Sequence, residues 1–478
     1  MVPPINPPYD ARRRAFLNQL ALGAAAATTA GLAGCDTTSP GLLPGAPGTN
    51  PMSPSVVLPN PEDSGIDHIV VVMMENRSFD HMLGWVPGAD GLKPGMKFAD
   101  ADGVLHEPQE LHPDYQGCGL EDPAHGYGSG RVHFNGGKMD GFLKETAVGD
   151  RFPIGYYGPE HVPFFKGAAA EYTICDRYHT GILASTQSNR VYMHAGETDR
   201  KNNDPDPVTM LPKTSTLRTI WDTAIEKGIS TGYFFGNLPL TAIWEAKYLS
   251  FSKPYQTLAL IAAAGQLPAI TYVDPFFYND GLDPICNDDH PHADIRNGQA
   301  FLNEIYTALS TAPTWGRTLM VINYDEWGGF FDHVPPPVMP VSAREAEATG
   351  NDGRLGIRVP CVLLGPKVKK GHVEHTQFDP SSILKFCEWR WGLEPLGVRA
   401  AVANNIAVAL DFTNPPRTDV PVFEVPTGPF GDPQCNSPLP FKVPIPTTVP
   451  AGLTPSMSAH INEVELLREK ARRAGFPV

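Results

Sequence analysis

Two uninterrupted apolar runs, each stopping at a pair of oxygen-bearing side chains, constrain this chain more than anything else in it. Residues 67–74 read Asp-His-Ile-Val-Val-Val-Met-Met and pass into Glu75-Asn76, and residues 318–324 read Thr-Leu-Met-Val-Ile-Asn-Tyr and pass into Asp325-Glu326. A strand with one wet face alternates polar and apolar residues. A run without alternation needs cover on both faces, as an interior strand of a parallel sheet has. The stretches 269–273 and 359–365 read the same way, and helical spacing marks 217–227, 294–310 and 380–391. Strands alternating with helices, with no internal repeat, predict an α/β fold: a doubly wound, mostly parallel sheet sandwiched by helices, in one large domain over residues 65–414. Ligands of such sheets sit beyond the carboxyl ends of the strands, so the acids that end these runs mark the expected site.

The flanks read differently. Residues 1–35 carry Arg13-Arg14-x-Phe16-Leu17, an Ala/Gly/Leu run and Leu32-Ala33-Gly34-Cys35. That is the order of a twin-arginine signal peptide closed by a lipobox, predicting an exported periplasmic or cell-envelope lipoprotein held to the membrane by lipid on Cys35. Residues 36–64 are Pro/Gly-rich and read as a tether. Residues 415–478 form a tail with eleven prolines between 415 and 450, then a short helical pattern with Ile461, Val464, Leu467 and Ala471 in step. This tail is expected to wrap the domain surface. Outside the N-terminus no apolar stretch is long enough to span a bilayer.

Composition enters mainly through charge and cysteine. A formal charge of −15 repels a phosphate backbone, which argues against nucleic acid as a partner. None of the seven cysteines forms a C-x-x-C pair, so a zinc ribbon or a thioredoxin-like motif is excluded. Beyond Cys35, their pairing is open, and Cys175, Cys361 and Cys387 sit in apolar contexts that equally suit buried thiols.

Glu75, Asn76, Asp325 and Glu326 offer four oxygen ligands of the kind a hard divalent cation takes. Gly328 and Gly329 after the second pair suggest a loop bent tightly around something. Leu183-Ala184-Ser185-Thr186-Gln187-Ser188-Asn189-Arg190 reads as a loop entering a helix. A hydroxyl there feels the helix dipole, and Arg190 has the geometry to hold a phosphate. The same serines and threonine also suit plain helix caps, and residue types alone leave both readings open.

Longer motifs carry a resemblance. Glu75-Asn76-Arg77-Ser78-Phe79-Asp80-His81, Asn135 to Phe142, Tyr324 to Val334, and His375-Thr376-Gln377-Phe378-Asp379 resemble, in order, the signatures of the bacterial phosphoesterases that include non-specific phospholipases C and acid phosphatases. That family is similar in fold to alkaline phosphatases and sulfatases. The resemblance implies a metal held by Glu75, Asn76, Asp325 and Glu326, with Thr186 as nucleophile and further ligand and Ser185 as the lesser candidate. It implies catalytic roles for His125 and His290 near the phosphoryl group, with Asn189 and Arg190 binding substrate. His333 and His375 either belong to the site or merely shape the sheet edge. Ser188 departs from the family, where proline is common. A sulfatase is disfavoured, since no C-x-P-x-R or S-x-P-x-R stretch is present. The expected activity is phospholipase C-type hydrolysis of phospholipid phosphodiesters through a phosphothreonine. The alternatives are a phosphomonoesterase acting on phosphorylated small molecules at the same site, or a non-catalytic lipoprotein that binds phosphorylated ligands. The expected cofactor is one divalent ion among calcium, magnesium, manganese and zinc.

Overall fold

The computed structural model describes residues 57–203, 206, 208–277, 286–432, 435 and 455–478. The signal peptide, the lipobox cysteine and most of the tether lie outside the described residues. At the centre stands β1 (His68–Met74), its residues buried from Ile69 onward. The other strands of its sheet are β2 (Thr173–Cys175), β3 (Thr231–Phe235), β4 (Ser252–Pro254), β5 (Ile270–Val273), β6 (Thr318–Tyr324), β7 (Cys361–Leu364) and β8 (His372–Glu374). Their order across the sheet is β8-β2-β7-β6-β1-β5-β3-β4. Five of the seven pairings are parallel; both exceptions involve β7, which runs against β6 and β2.

The sheet is therefore the mostly parallel one expected, with one correction. Residues 359–365 form an antiparallel strand, because burial on both faces yields the same apolar run whichever way the chain travels. Three strands carry no such run. The edge strands β4 and β8 are only partly covered, and β2 is three residues long.

Helices cover both faces. The relevant ones are α1 (Phe79–Leu83), α2 (Tyr127–Phe134), α3 (Pro163–Glu171), α4 (Thr186–Ala195), α5 (Ile220–Glu226), α6 (Thr257–Ala263), α7 (Ile295–Ser310), α8 (Ala343–Thr349), α9 (Pro380–Trp391) and α10 (Pro455–Arg473). Local signals set their ends. Asp379 caps α9 in a box with Ser382, with Pro380 where a helix needs no amide donor, and Gly392 closes it in the left-handed region. Asp294 caps α7 by accepting from the Arg296 amide.

The tail does more than wrap. Phe423 stacks on Tyr306 at 4.9 Å between ring centres, and Cys435 forms a disulfide with Cys118. Val464, Leu467 and Ala471 of α10 enter the main hydrophobic core. Cys175, Cys361 and Cys387 are buried free thiols. No helix of the described residues is long and apolar enough to cross a membrane.

Candidate active site

Parallel register assembles the site. Met74 pairs with Tyr324, so the residues after each strand emerge side by side. The Asp325 amide donates to Met74 O (3.1 Å), and the Asn76 and Glu326 amides both donate to Asp325 Oδ1 (3.2 and 2.7 Å). Asn76 has a φ of 57°, in the left-handed region that asparagine tolerates better than most residues. The loop leaving Glu326 passes so close that a Cβ on Gly328, itself at φ 60°, would stand 2.0 Å from Asn76 O. The paired glycines are what let this loop close over the first strand end.

Thr186 is the first residue of α4, with Ser185 as its N-cap. Their hydroxyls diverge. Thr186 Oγ1 donates to Glu75 Oε2 (3.2 Å), whereas Ser185 Oγ turns away to Asn203 Oδ1 (3.3 Å). The hydroxyl that faces the acids therefore belongs to Thr186, at the positive end of a ten-residue helix.

The acids are buried and crowded. Burial first, then the Asp325 charge, push the carboxyls of both Glu75 and Glu326 well above the usual range; Arg190 pulls against this at Glu75. Three buried acceptors of this cluster form no hydrogen bond among the described residues: Asn76 Oδ1, Asp325 Oδ2 and Glu326 Oε1. Buried oxygens are rarely left so. An oxygen-only donor set with orphaned lone pairs has the chemistry of a hard divalent cation site. Among the described residues, the groups of three acids or histidines whose ligand atoms converge within 4.8 Å are instead Asp122 with His125 and His290, and Asp80 with Asp332 and His333.

Asn189 and Arg190, which the sequence reading gives to the substrate, are both buried and hydrogen-bonded within the protein. Arg190 is buried, its guanidinium 2.6 Å from Glu75 Oε1, 2.8 Å from Asp274 Oδ1 and 3.4 Å from Asp325 Oδ2. It also donates to the carbonyls of Met73 and Met74. Asn189 accepts from the Ile182 amide (3.0 Å) and donates to Ala184 O (2.7 Å), bracing the loop before Thr186. Both position the site from behind. Sequence reasoning missed Asp274, although it follows β5 directly and obeys the same strand-end logic.

His125 and His290 meet at 5.9 Å between ring centres, on either side of Asp122. Each turns Nδ1 to a backbone carbonyl, that of Pro123 (2.7 Å) for His125 and that of Pro291 (2.5 Å) for His290. Nε2 of His125 then lies 3.3 Å from Asn76 Nδ2 and 3.9 Å from Glu326 Oε1. Nε2 of His290 lies 3.9 Å from Asp122 Oδ2. Burial lowers the pKa of His125, opposed by the Pro123 carbonyl and by the charges of Glu463 and Asp325. Burial also pushes the Asp122 carboxyl well above its usual range. Its ligand-type atoms lie within 4.8 Å of one another.

A second compact group, Asp80, Asp332 and His333, is already compensated. Arg358 donates to Asp332 Oδ1 (2.9 Å) and Asp80 Oδ1 (3.2 Å), and His333 Nδ1 lies 2.6 Å from Asp80 Oδ2. His375 is exposed, with Nδ1 2.8 Å from Asp176 Oδ2. Neither His333 nor His375 joins the cluster around Thr186.

A cation-type oxygen cluster facing a helix-borne hydroxyl, at the carboxyl ends of parallel strands, is the layout of a hydrolase with a hydroxyl nucleophile. The sequence profile of the Phosphoesterase family matches residues 66–394, and the chain belongs to that family. It is a hydrolase acting on phosphoric ester bonds. Non-specific phospholipase C1 of Arabidopsis thaliana is 32% identical over 401 residues, covering 74% of this chain and 73% of its own. Phospholipase C A of Mycobacterium tuberculosis is 27% identical over 424 residues, covering 74% and 79%. Among solved structures, murine ectonucleotide pyrophosphatase/phosphodiesterase 5 aligns over 72% of this chain and 100% of its own, at 11% identity and a TM-score of 0.38.

Proposed function

We propose that the protein hydrolyses phosphodiesters as a phospholipase C does, through transient phosphorylation of Thr186. The observation that carries this reading is Thr186 Oγ1 at a helix N-terminus, directed at Glu75 inside a cluster of orphaned buried oxygens. The names of the relatives, phospholipases C of plants and bacteria, support a phospholipid substrate. Glu75, Asn76, Asp325 and Glu326, with Thr186, would hold a divalent cation, one of calcium, magnesium, manganese or zinc. Such an ion supplies positive charge that lowers the proton affinity of a hydroxyl and offsets charge on phosphoryl oxygens.

The chain's own groups do the rest. Thr186 Oγ1 forms a bond to phosphorus as the bond from phosphorus to the departing alcohol breaks. Its proton is directed toward Glu75 Oε2, and the group of Asp122, His125 and His290 returns a proton to the alcohol. Water then attacks phosphorus, the Thr186–phosphate bond breaks, and the hydroxyl is restored. Arg190 keeps Glu75, Asp274 and Asp325 in place throughout.

Metal analysis of the purified protein, with parallel assays on p-nitrophenyl phosphate and p-nitrophenylphosphorylcholine, tests the reading. Stoichiometric metal and faster diester turnover are expected; faster monoester turnover would make it a phosphatase, and no turnover of either would refute both. Export by the twin-arginine route and lipid anchoring at Cys35 are also proposed, on the strength of residues 12–35. Cys35→Ser should move the protein from the membrane fraction to the soluble one, and unchanged anchoring would sink the idea.

A further inference from the structure

The C-terminal helix α10 brings a carboxylate to the nucleophile. Val464 and Leu467 bury themselves in the core, and Lys470 Nζ donates to Thr214 Oγ1 (2.7 Å), fixing the helix along its length. A pocket of about 30 Å³ lies between this helix and the site, lined by Glu75, Thr186, Leu240, Phe277, Glu463 and Leu467 among others. Asn203 ties the two sides together. Its Oδ1 accepts from Ser185 Oγ (3.3 Å) and from the Gln187 amide (2.8 Å), the residues flanking Thr186. Its Nδ2 donates to Glu463 Oε2 (2.7 Å). One amide side chain thus locks the Glu463 carboxylate to the frame of the nucleophile.

We propose that Glu463 is a specificity-determining residue that reads the substituent remaining on phosphorus, favouring a diester whose retained alcohol carries a cation and disfavouring the dianion of a monoester. The inference rests on Thr186 being the nucleophile. Attacking and leaving oxygens are in line, so the departing alcohol lies opposite Thr186 and the retained substituent lies in the equatorial belt around phosphorus. Thr186 and Glu463 line one pocket, which therefore lies beside the attacking hydroxyl. The pocket has room for water and not for a head group, so the retained substituent lies across its mouth, with Glu463 on the rim. A carboxylate there attracts an ammonium group and repels the second negative charge of a monoester. Leu240, Phe277 and Leu467 add an apolar wall suited to an alkylated ammonium.

Three substrates with the same p-nitrophenolate leaving group isolate the effect. p-Nitrophenylphosphorylcholine retains a cation, bis(p-nitrophenyl) phosphate retains a neutral aryl group, and p-nitrophenyl phosphate retains none. In the full-length protein, Glu463→Gln should lower kcat/KM for the choline ester by about three- to fivefold, mainly through KM, as loss of one part-exposed charge pair does. The aryl diester should stay within roughly twofold, and the monoester should gain severalfold. Glu463→Lys should exaggerate both changes, and Glu463→Asp, which keeps the charge, should preserve the wild-type ranking. An active wild type whose three constants move by one common factor in Glu463→Gln overturns this inference alone. A wild type inactive on all three esters overturns it together with the functional reading beneath it.

Discussion

Two buried acid clusters are drawn from the same two chain segments, and they are balanced in opposite ways. Asp80 and Asp332 share Arg358 and His333, and backbone amides complete the network: Asp80 N donates to Asp332 Oδ2, His333 N to Asp80 Oδ2 and Val334 N to Asp332 Oδ1. A few residues upstream in each segment, Glu75 and Asp325, joined by Asp274 from the end of β5, share the single guanidinium of Arg190, while acceptors on Asn76 and Glu326 lack donors. Side chains of the same types are closed into a network in one place and left with open acceptors in the other. What separates them is whether the protein itself satisfies the charge.

The sharpest break of that comparison is kinetic. Thr186→Ala should cut kcat on the order of a thousandfold or more, as loss of a covalent nucleophile does, with the melting temperature unchanged. Ser185→Ala, whose hydroxyl points at Asn203, should lose little. Acid quench and mass spectrometry with a slow substrate should place phosphate on the Thr186 peptide; phosphate on Ser185 would reverse the assignment.

Asp325→Asn should strip the metal and lower turnover by at least about a hundredfold, without lowering the stability of the metal-free protein. Removing one charge from an uncompensated cluster relieves repulsion on Glu75 and Glu326. A variant that retains full metal and activity would refute the ligand set. Chelation should lower the melting temperature of the wild type and leave that of Asp325→Asn unmoved.

Arg358→Met should do the opposite. Removing one partner of a buried network strands its acids and costs about 3–5 kcal/mol in denaturant unfolding, while metal content per folded molecule is kept. Loss of metal without loss of stability would show that the two clusters are not distinct.

A third buried acid gives an effect that appears only as the pH is changed. Asp289 accepts from the Tyr324 hydroxyl (2.5 Å), and its Oδ1 has no donor. Burial raises its carboxyl from 3.8 to about 7, with Tyr324 and Arg77 opposing. A carboxyl raised in the folded state is bound to its proton longer there than in the unfolded chain. Its contribution is therefore complete below pH 3.8 and lost as the pH rises to about 7. Asp289→Asn should flatten the fall in stability across that window, and an unchanged slope would remove Asp289 as its source.

How much of this was legible beforehand depends on the range of the interaction. Glu75-Asn76 and Asp325-Glu326 stood out because fully buried strands leave continuous apolar runs, so the residues that end them are visible. The direction of β7 was not visible, since that same burial erases any trace of strand polarity. Asp274 was legible and overlooked.

Burial and capping act on near neighbours in the chain, and they made β1, β5, β6 and β7, the acids that follow β1 and β6, and the hydroxyl opening α4 legible in the sequence. Only the tertiary structure decided that Arg190 faces Glu75, Asp274 and Asp325 instead of open solvent. It alone set Glu463 beside Thr186 through Asn203, across a separation of 260 residues between the amide and the acid. Long side chains pair with whatever sheet order and helix packing bring within reach, and no local pattern records that choice.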